Sequence, residues 1–129
     1  MEGIIVLDSS VLIELFRKKD KSKTFFYSLA SQFKGYAIPV PVHYEILVGS
    51  SGKQDIFWKN LFNDFLILPY TAAINYTAIA IQKELKAKRK SIEFSDLLIA
   101  ASAVHYSYPL ASLNKKHFEN ISLLQLTTP

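Results

Sequence analysis

A chain of 129 residues that is half hydrophobic, with nine Phe, seven Tyr and one Trp, buries a sizeable core and is not disordered. It has no cysteine, which excludes disulfides and thiolate zinc sites. Its net charge of +4, from 15 basic and 11 acidic residues, leaves a basic surplus suited to a polyanion.

The first element is "GIIVL" (3–7), a short apolar run rich in β-branched residues that stops at Asp8. It reads as a strand covered on both faces, as in a parallel sheet. "SSVLIELFRKK" then changes period, with Val11, Leu12, Leu15 and Phe16 on one helical face and Ser9 or Ser10 as cap. In "TFFYSLASQFKG", Phe26, Leu29, Ala30 and Phe33 predict a helix that Gly35 ends. "YAIPVP" (36–41) is extended, its two prolines predicting an edge or a strand end. "VHYEILVG" reads as one or two helical turns, "SSGKQ" (50–54) as a loop, and "DIFWKNLFNDF" as a helix. "LILP" is a buried strand stopped by Pro69.

Residues 71–90 form the longest predicted helix, with Ile74, Ala78, Ile81 and Leu85 on one stripe. The segment "FSDLLIAASAVHY" (94–106) is a helix apolar nearly all round, hence central. "PLAS" and "SLLQL" (122–126) close the chain as short strands. Strands alternating with helices, with no repeat and no linker, predict one α/β domain over residues 1–129, built in layers on a mostly parallel sheet. No apolar run reaches the roughly 18 to 20 residues of a membrane span, and the N-terminus lacks the basic flank of a signal peptide. A soluble cytoplasmic protein with no membrane partner is expected.

Asp8 is the first anomaly. It sits between two apolar runs, at the carboxyl end of the first strand, where open parallel sheets bind ligands. Glu45 in "PVPVHYEILVG" and Asp96 in "FSDLLIAASAV" share its apolar setting; Glu14 reads as the polar side of the first helix. Three carboxylates brought within about 4 Å repel by about 4 kcal/mol per pair at an effective dielectric of 20. Protonation, a buried Lys or Arg, or a divalent cation relieves that repulsion. Carboxylate oxygens favour Mg2+ or Mn2+ over zinc, and His43, His105 and His117 form no i, i+4 pair. A carboxylate-held Mg2+ activates water against a phosphodiester. The basic runs 17–23, 83–90 and 114–117 then become a phosphate-binding rim. Tyr70, Tyr76 and Tyr106 read as packing residues, with base stacking as their alternative. A dehalogenase-type phosphatase would need a second Asp at position 10, where Ser10 stands, and no Gly-rich phosphate loop is present.

At these residues the sequence resembles the PIN-domain family, especially VapC-like toxin ribonucleases of toxin–antitoxin pairs. The resemblance runs through "VLDSSVLIELF", "PVPVHYEILVG", "IEFSDLLIAASAV" and "PLASLNKKHFENI", in order along the whole chain. It implies a three-layer α/β/α sandwich and a Mg2+- or Mn2+-dependent endoribonuclease. Asp8, Glu45 and Asp96 match the family's first three acids, with Asp8 and Asp96 as direct ligands and Glu45 as ligand or water-orienting base. Ser10 matches a small polar residue that supports the cluster. The last motif departs from the pattern. Asn114 stands at the fourth acid, His117 where an acid often precedes the Phe, and Ser112 and Leu113 replace Thr-Arg. One tight metal is therefore expected rather than two, with Lys115 and Lys116 as substitute phosphate contacts and His117 as a surface residue. The resemblance also implies an RNA substrate, a small antitoxin protein and a homodimer. The alternative is a PIN-like module that binds RNA or protein and cuts poorly.

Overall fold

The computed structural model describes residues 2–129. Five strands form one all-parallel sheet: β1 (Glu2–Leu7), β2 (Phe33–Pro39), β3 (Leu66–Leu68), β4 (Leu110–Ala111) and β5 (Leu126–Thr127), in the order β3-β2-β1-β4-β5. Seven helices flank it: α1 (Ser9–Arg17), α2 (Phe25–Leu29), α3 (Val40–Val48), α4 (Lys53–Phe62), α5 (Ala72–Ala87), α6 (Phe94–His105) and α7 (Lys115–Phe118). Successive strand residues point to opposite faces, yet Ile5, Val6 and Leu7 are all fully buried. Both faces of the central strand are therefore covered, as a three-layer α/β/α sandwich requires.

The chain builds outward from β1 to β2 and β3, then returns to lay β4 on the opposite side of β1. This reversal opens a crevice beyond the carboxyl ends of β1 and β4, the place where parallel sheets receive ligands. The register puts Leu7 beside Ala111, so the next residues, Asp8 and Ser112, leave the sheet together.

The structure corrects several predicted elements. The helix expected from Phe26 to Phe33 is one short helix, α2, and Phe33 already belongs to β2. Thr24 Oγ1 accepts from the Tyr27 N–H at 3.2 Å and Glu14 Oε1 from the Phe25 N–H at 2.7 Å, so α2 is fixed at its start. Gly35 ends no helix. It pairs with Ile4 in the sheet, and a Cβ there would stand 3.0 Å from Ile4 Cδ1, so the glycine makes room for that side chain.

Of the two alternatives the prolines offered, they mark a strand end and not an edge, because β2 lies inside the sheet between β1 and β3. Pro39 closes the strand, and Pro41 sits in the first turn of α3, where its missing N–H costs nothing. The last strand comprises Leu126–Thr127 rather than 122–126. Glu84 of α5 instead takes the Ser122 N–H and hydroxyl, holding that segment outside the sheet. The 71–90 helix stops at Ala87, and α4 begins at Lys53 and ends at Phe62. Helix α6 matches its prediction, with Ile99, Ala100, Ala101 and Ala103 fully buried.

Candidate functional site

A cavity of about 500 Å³ opens at the crevice and is lined by residues of four stretches of the chain, including Asp8, Glu45, Asp96, Asn114 and His117. Strand β1 hands Asp8 to the N-cap position of α1, with extended backbone (φ −75°, ψ 156°). Its carboxylate takes no backbone N–H of the helix, so Asp8 does not act as a side-chain cap, and neither Ser9 nor Ser10 takes that position. Both serines are the first helical residues.

Asp8 is 3 % exposed, and its Oδ2 accepts two hydroxyl bonds, from Ser10 and from Ser112, each at 2.8 Å. Among the described residues no hydrogen bond reaches Oδ1, and no lysine or arginine pairs with Asp8 or Glu45. A buried carboxylate without a cationic partner carries a desolvation cost of several kcal/mol, about the scale that a bound cation offsets.

Ser112 is fully buried and does two jobs. Its hydroxyl donates to Asp8 and accepts from the Asn114 N–H at 2.9 Å. Ser10 Oγ similarly accepts from the Leu113 N–H at 3.0 Å. The two hydroxyls thus tie the entry of α1 to the entry of α7. Glu45, exposed on α3, accepts from Ser9 Oγ at 3.1 Å.

Asp96 stands in the first turn of α6 and faces His117 of α7, with Nδ1 to Oδ2 at 3.0 Å. Burial raises the Asp96 carboxyl above its ordinary value, and the Asp8 charge adds to that. His117 pulls the other way, and Glu45 again raises it. Asp96 therefore feels both of the other acids across the cavity. No group of three His, Asp or Glu side chains among the described residues is arranged to hold an ion. Each carboxylate is instead held by its own donor: serines for Asp8, Ser9 for Glu45, and His117 for Asp96.

Other expected residues sort clearly. Asn114, Lys115 and Lys116 are exposed, and the Asn114 side chain makes no cap bond to α7. Lys116 lines an adjoining depression of about 360 Å³ with Asp96 and His117. Glu14 lines the cavity but is engaged by Phe25 and, at 3.2 Å, by Lys18. Tyr70 and Tyr106 pack on the core with their hydroxyls bonded to Asn75 and the Pro69 carbonyl. Tyr76 is exposed, and none of the three tyrosines lines the cavity. Sequence reading missed Ser9, Arg17 and the inward role of His117. For Arg17 the signal was present: it follows Ile13 by one helical turn, on the face that meets Glu45.

The PIN domain model matches residues 5–123, which span all of these site residues. The chain belongs to the PIN-domain family. This PIN domain is 30% identical to a Ribonuclease VapC of Rickettsia bellii, over 96% of this chain and 95% of the relative. It is 31% identical to Ribonuclease VapC1 of Methanocaldococcus jannaschii, over 93% and 82% of the two chains. Among solved structures it resembles VapBC2 of Rickettsia felis bound to a promoter DNA fragment, with 25% identity, a TM-score of 0.80 and 98% of both chains covered. DNA-bound VapBC of Salmonella typhimurium shares the fold at 17% identity and a TM-score of 0.83, over 99% and 98% of the chains. Among the described residues no helix is long and apolar enough to cross a membrane.

Proposed function

We propose that this PIN domain is a Mg2+- or Mn2+-dependent endoribonuclease and the toxin half of a toxin–antitoxin pair. One observation carries the reading: Asp8, buried at the switch point of the sheet, has no cationic partner among the described residues and borders a cavity shared with Glu45 and Asp96. The donor set fits a hard divalent ion, being carboxylate oxygens with no thiolate. Asp8 and Asp96 would hold it, with Glu45 as further ligand or water-orienting base. A bound ion of this kind supplies Lewis acidity and an acidified water for phosphodiester hydrolysis.

The residues of the chain prepare the rest. Ser10 and Ser112 fix the Asp8 carboxylate by one oxygen. The exposed Asn114 amide is open to a water or to RNA. Arg17 and Lys116, which line the two depressions, and the exposed Lys115 offer positive charge to the backbone of an RNA whose scissile segment is single-stranded or looped. The kinship with proteins named VapC, and with chains solved as VapBC complexes, supports an RNA substrate and an antitoxin partner. Exposed Tyr76, Ile79 and Phe94 on α5 and α6 support a homodimer.

A second reading, an RNA- or protein-binding module with weak cleavage, is favoured by Asn114 in place of an acid and by carboxylates that do not close. Incubating the protein with structured RNA at millimolar Mg2+ or Mn2+ separates the two. Cleavage by the wild type that Asp96→Asn abolishes supports the nuclease; RNA binding without cleavage in the wild type supports the module.

A further inference from the structure

The depression of about 360 Å³ that adjoins the cavity is walled by Ile92, Glu93, Phe94 and Lys116, and it shares Asp96 and His117 with the cavity itself. A group seated there lies next to the acids at which the phosphodiester is proposed to be cut. Its size falls within the roughly 300 to 1,000 Å³ of small-ligand pockets.

Two of its side chains are left free by the fold. Glu93 holds the N-cap position of α6, and its backbone carbonyl accepts from the Leu97 N–H at 2.9 Å. Its carboxylate makes no cap bond, and among the described residues no lysine, arginine or histidine pairs with it. Phe94, the first residue of the helix, is 73% exposed and lines both this depression and the apolar one beside Tyr70 and Ile79. The backbone under both is anchored by Ile99, Ala100 and Ala101, which are fully buried.

A carboxylate on a surface that receives RNA repels the phosphates, so its partners there are the N–H donors of a base edge. Unpaired RNA bases stack on aromatic rings and offer their Watson–Crick edges. Guanine presents two adjacent donors on that edge, N1–H and N2–H, which match the two oxygens of a carboxylate. Adenine and cytosine present one amino group beside a ring-nitrogen acceptor, and uracil presents one N–H between two carbonyls. A carboxylate repels each of those acceptors.

We propose that the depression beside Asp96 is a nucleobase pocket that selects guanine, with Phe94 stacking on the base and the Glu93 carboxylate accepting from its N1–H and N2–H. The inference rests on the RNA substrate proposed above and names the base that flanks the cut.

The test uses the intact protein and a short oligouridine carrying one guanosine or, in its place, one inosine, which lacks the N2 amino group. Binding is read by fluorescence anisotropy in chelator, and cuts in a mixed RNA pool at millimolar Mg2+ or Mn2+ are read by sequencing the new ends. The wild type is expected to bind the guanosine RNA about tenfold more tightly than the inosine RNA and to cut beside guanosine. Removing a negative charge strengthens RNA binding in general, so in Glu93→Ala the ratio is the readout, and it should fall to about one. Phe94→Ala should weaken both RNAs about tenfold, because stacking is indifferent to the base edge. Equal affinities in the wild type, or a ratio that survives Glu93→Ala, overturn the pocket, and cleavage that continues leaves the nuclease reading standing. A wild type that cuts no RNA but keeps the Glu93-dependent ratio sinks the nuclease reading and upholds the pocket.

Discussion

Asp8 and Ser112 are 104 positions apart in the chain, yet the Ser112 hydroxyl donates to Asp8 Oδ2 at 2.8 Å inside the protein. The bond exists because β1 and β4 are neighbours in register and both end one residue earlier. It joins the acid at the centre of the site to the segment that carries Asn114 and His117.

Ser112→Ala is expected to cost about 1 to 3 kcal/mol of stability, since it leaves the Asn114 N–H and one Asp8 lone pair without their buried partner. Urea denaturation measures the loss. RNA cleavage should fall about tenfold or more through misplacement of the Asp8 carboxylate. Ser112→Thr, which keeps the hydroxyl, should recover part of both.

Asp96→Asn should reduce cleavage at least about 100-fold and, without metal, should stabilise the fold at neutral pH. The sign follows from the raised carboxyl of Asp96, held up by burial and by Asp8. A carboxyl raised in the folded state favours folding fully at pH below its unfolded value of about 4, and that contribution is lost as pH rises through the folded value. Thermal melts in chelator from pH 3 to 8 should show the variant gaining on the wild type as pH rises. A constant difference would refute the electrostatic account.

Glu84 predicts the opposite dependence. Hydrogen bonds from Lys88, at 2.8 Å, and from Ser122 lower its carboxyl to about 2. A lowered carboxyl stabilises the fold above its unfolded value, and that contribution is lost as pH falls through the folded one. Glu84→Gln should therefore lower the melting temperature most near pH 7, with the deficit closing between about pH 4 and pH 2. Lys88 also donates to the Asn120 carbonyl at 2.8 Å, so faster amide exchange around residues 120–123 is the matching local readout.

Arg17→Ala and Lys116→Ala should each weaken RNA binding in the absence of cleavage, roughly equally across RNA sequences. Each should lower the slope of log affinity against log salt by about one contact's share, near 0.7 for a single strand. An unchanged slope would remove that side chain from the binding surface.

Much of the fold was readable because particular segments carry one period only. "GIIVLD" allows nothing but a buried strand ended by an acid, and the apolar perimeter of α6 marks it as central. "TFFYSLASQFKG" misled because Phe26, Leu29 and Phe33 satisfy a helical stripe, while Phe33 is claimed by the sheet through its pairing with Glu2. Of the edge or strand end that the prolines predicted, the strand end holds, because Pro39 is the last paired residue of β2 and Pro41 lies inside the next helix. Asp8, Glu45 and Asp96 stood out as acids in apolar sequence, and all three border the cavity. Ser9 and His117 gave no such signal. A serine beginning a helix and a histidine in a basic run look like surface until the topology turns them toward Glu45 and Asp96.

The order of synthesis gives the sheet reversal a further meaning. Asp8 leaves the ribosome 104 residues ahead of the Ser112 hydroxyl that holds it, and Asp96 likewise precedes the imidazole that faces it. A nascent chain halted before Ala111 has the acid without the framework that aims it. The candidate site is therefore assembled only after the segment from Ser112 to His117 has been translated.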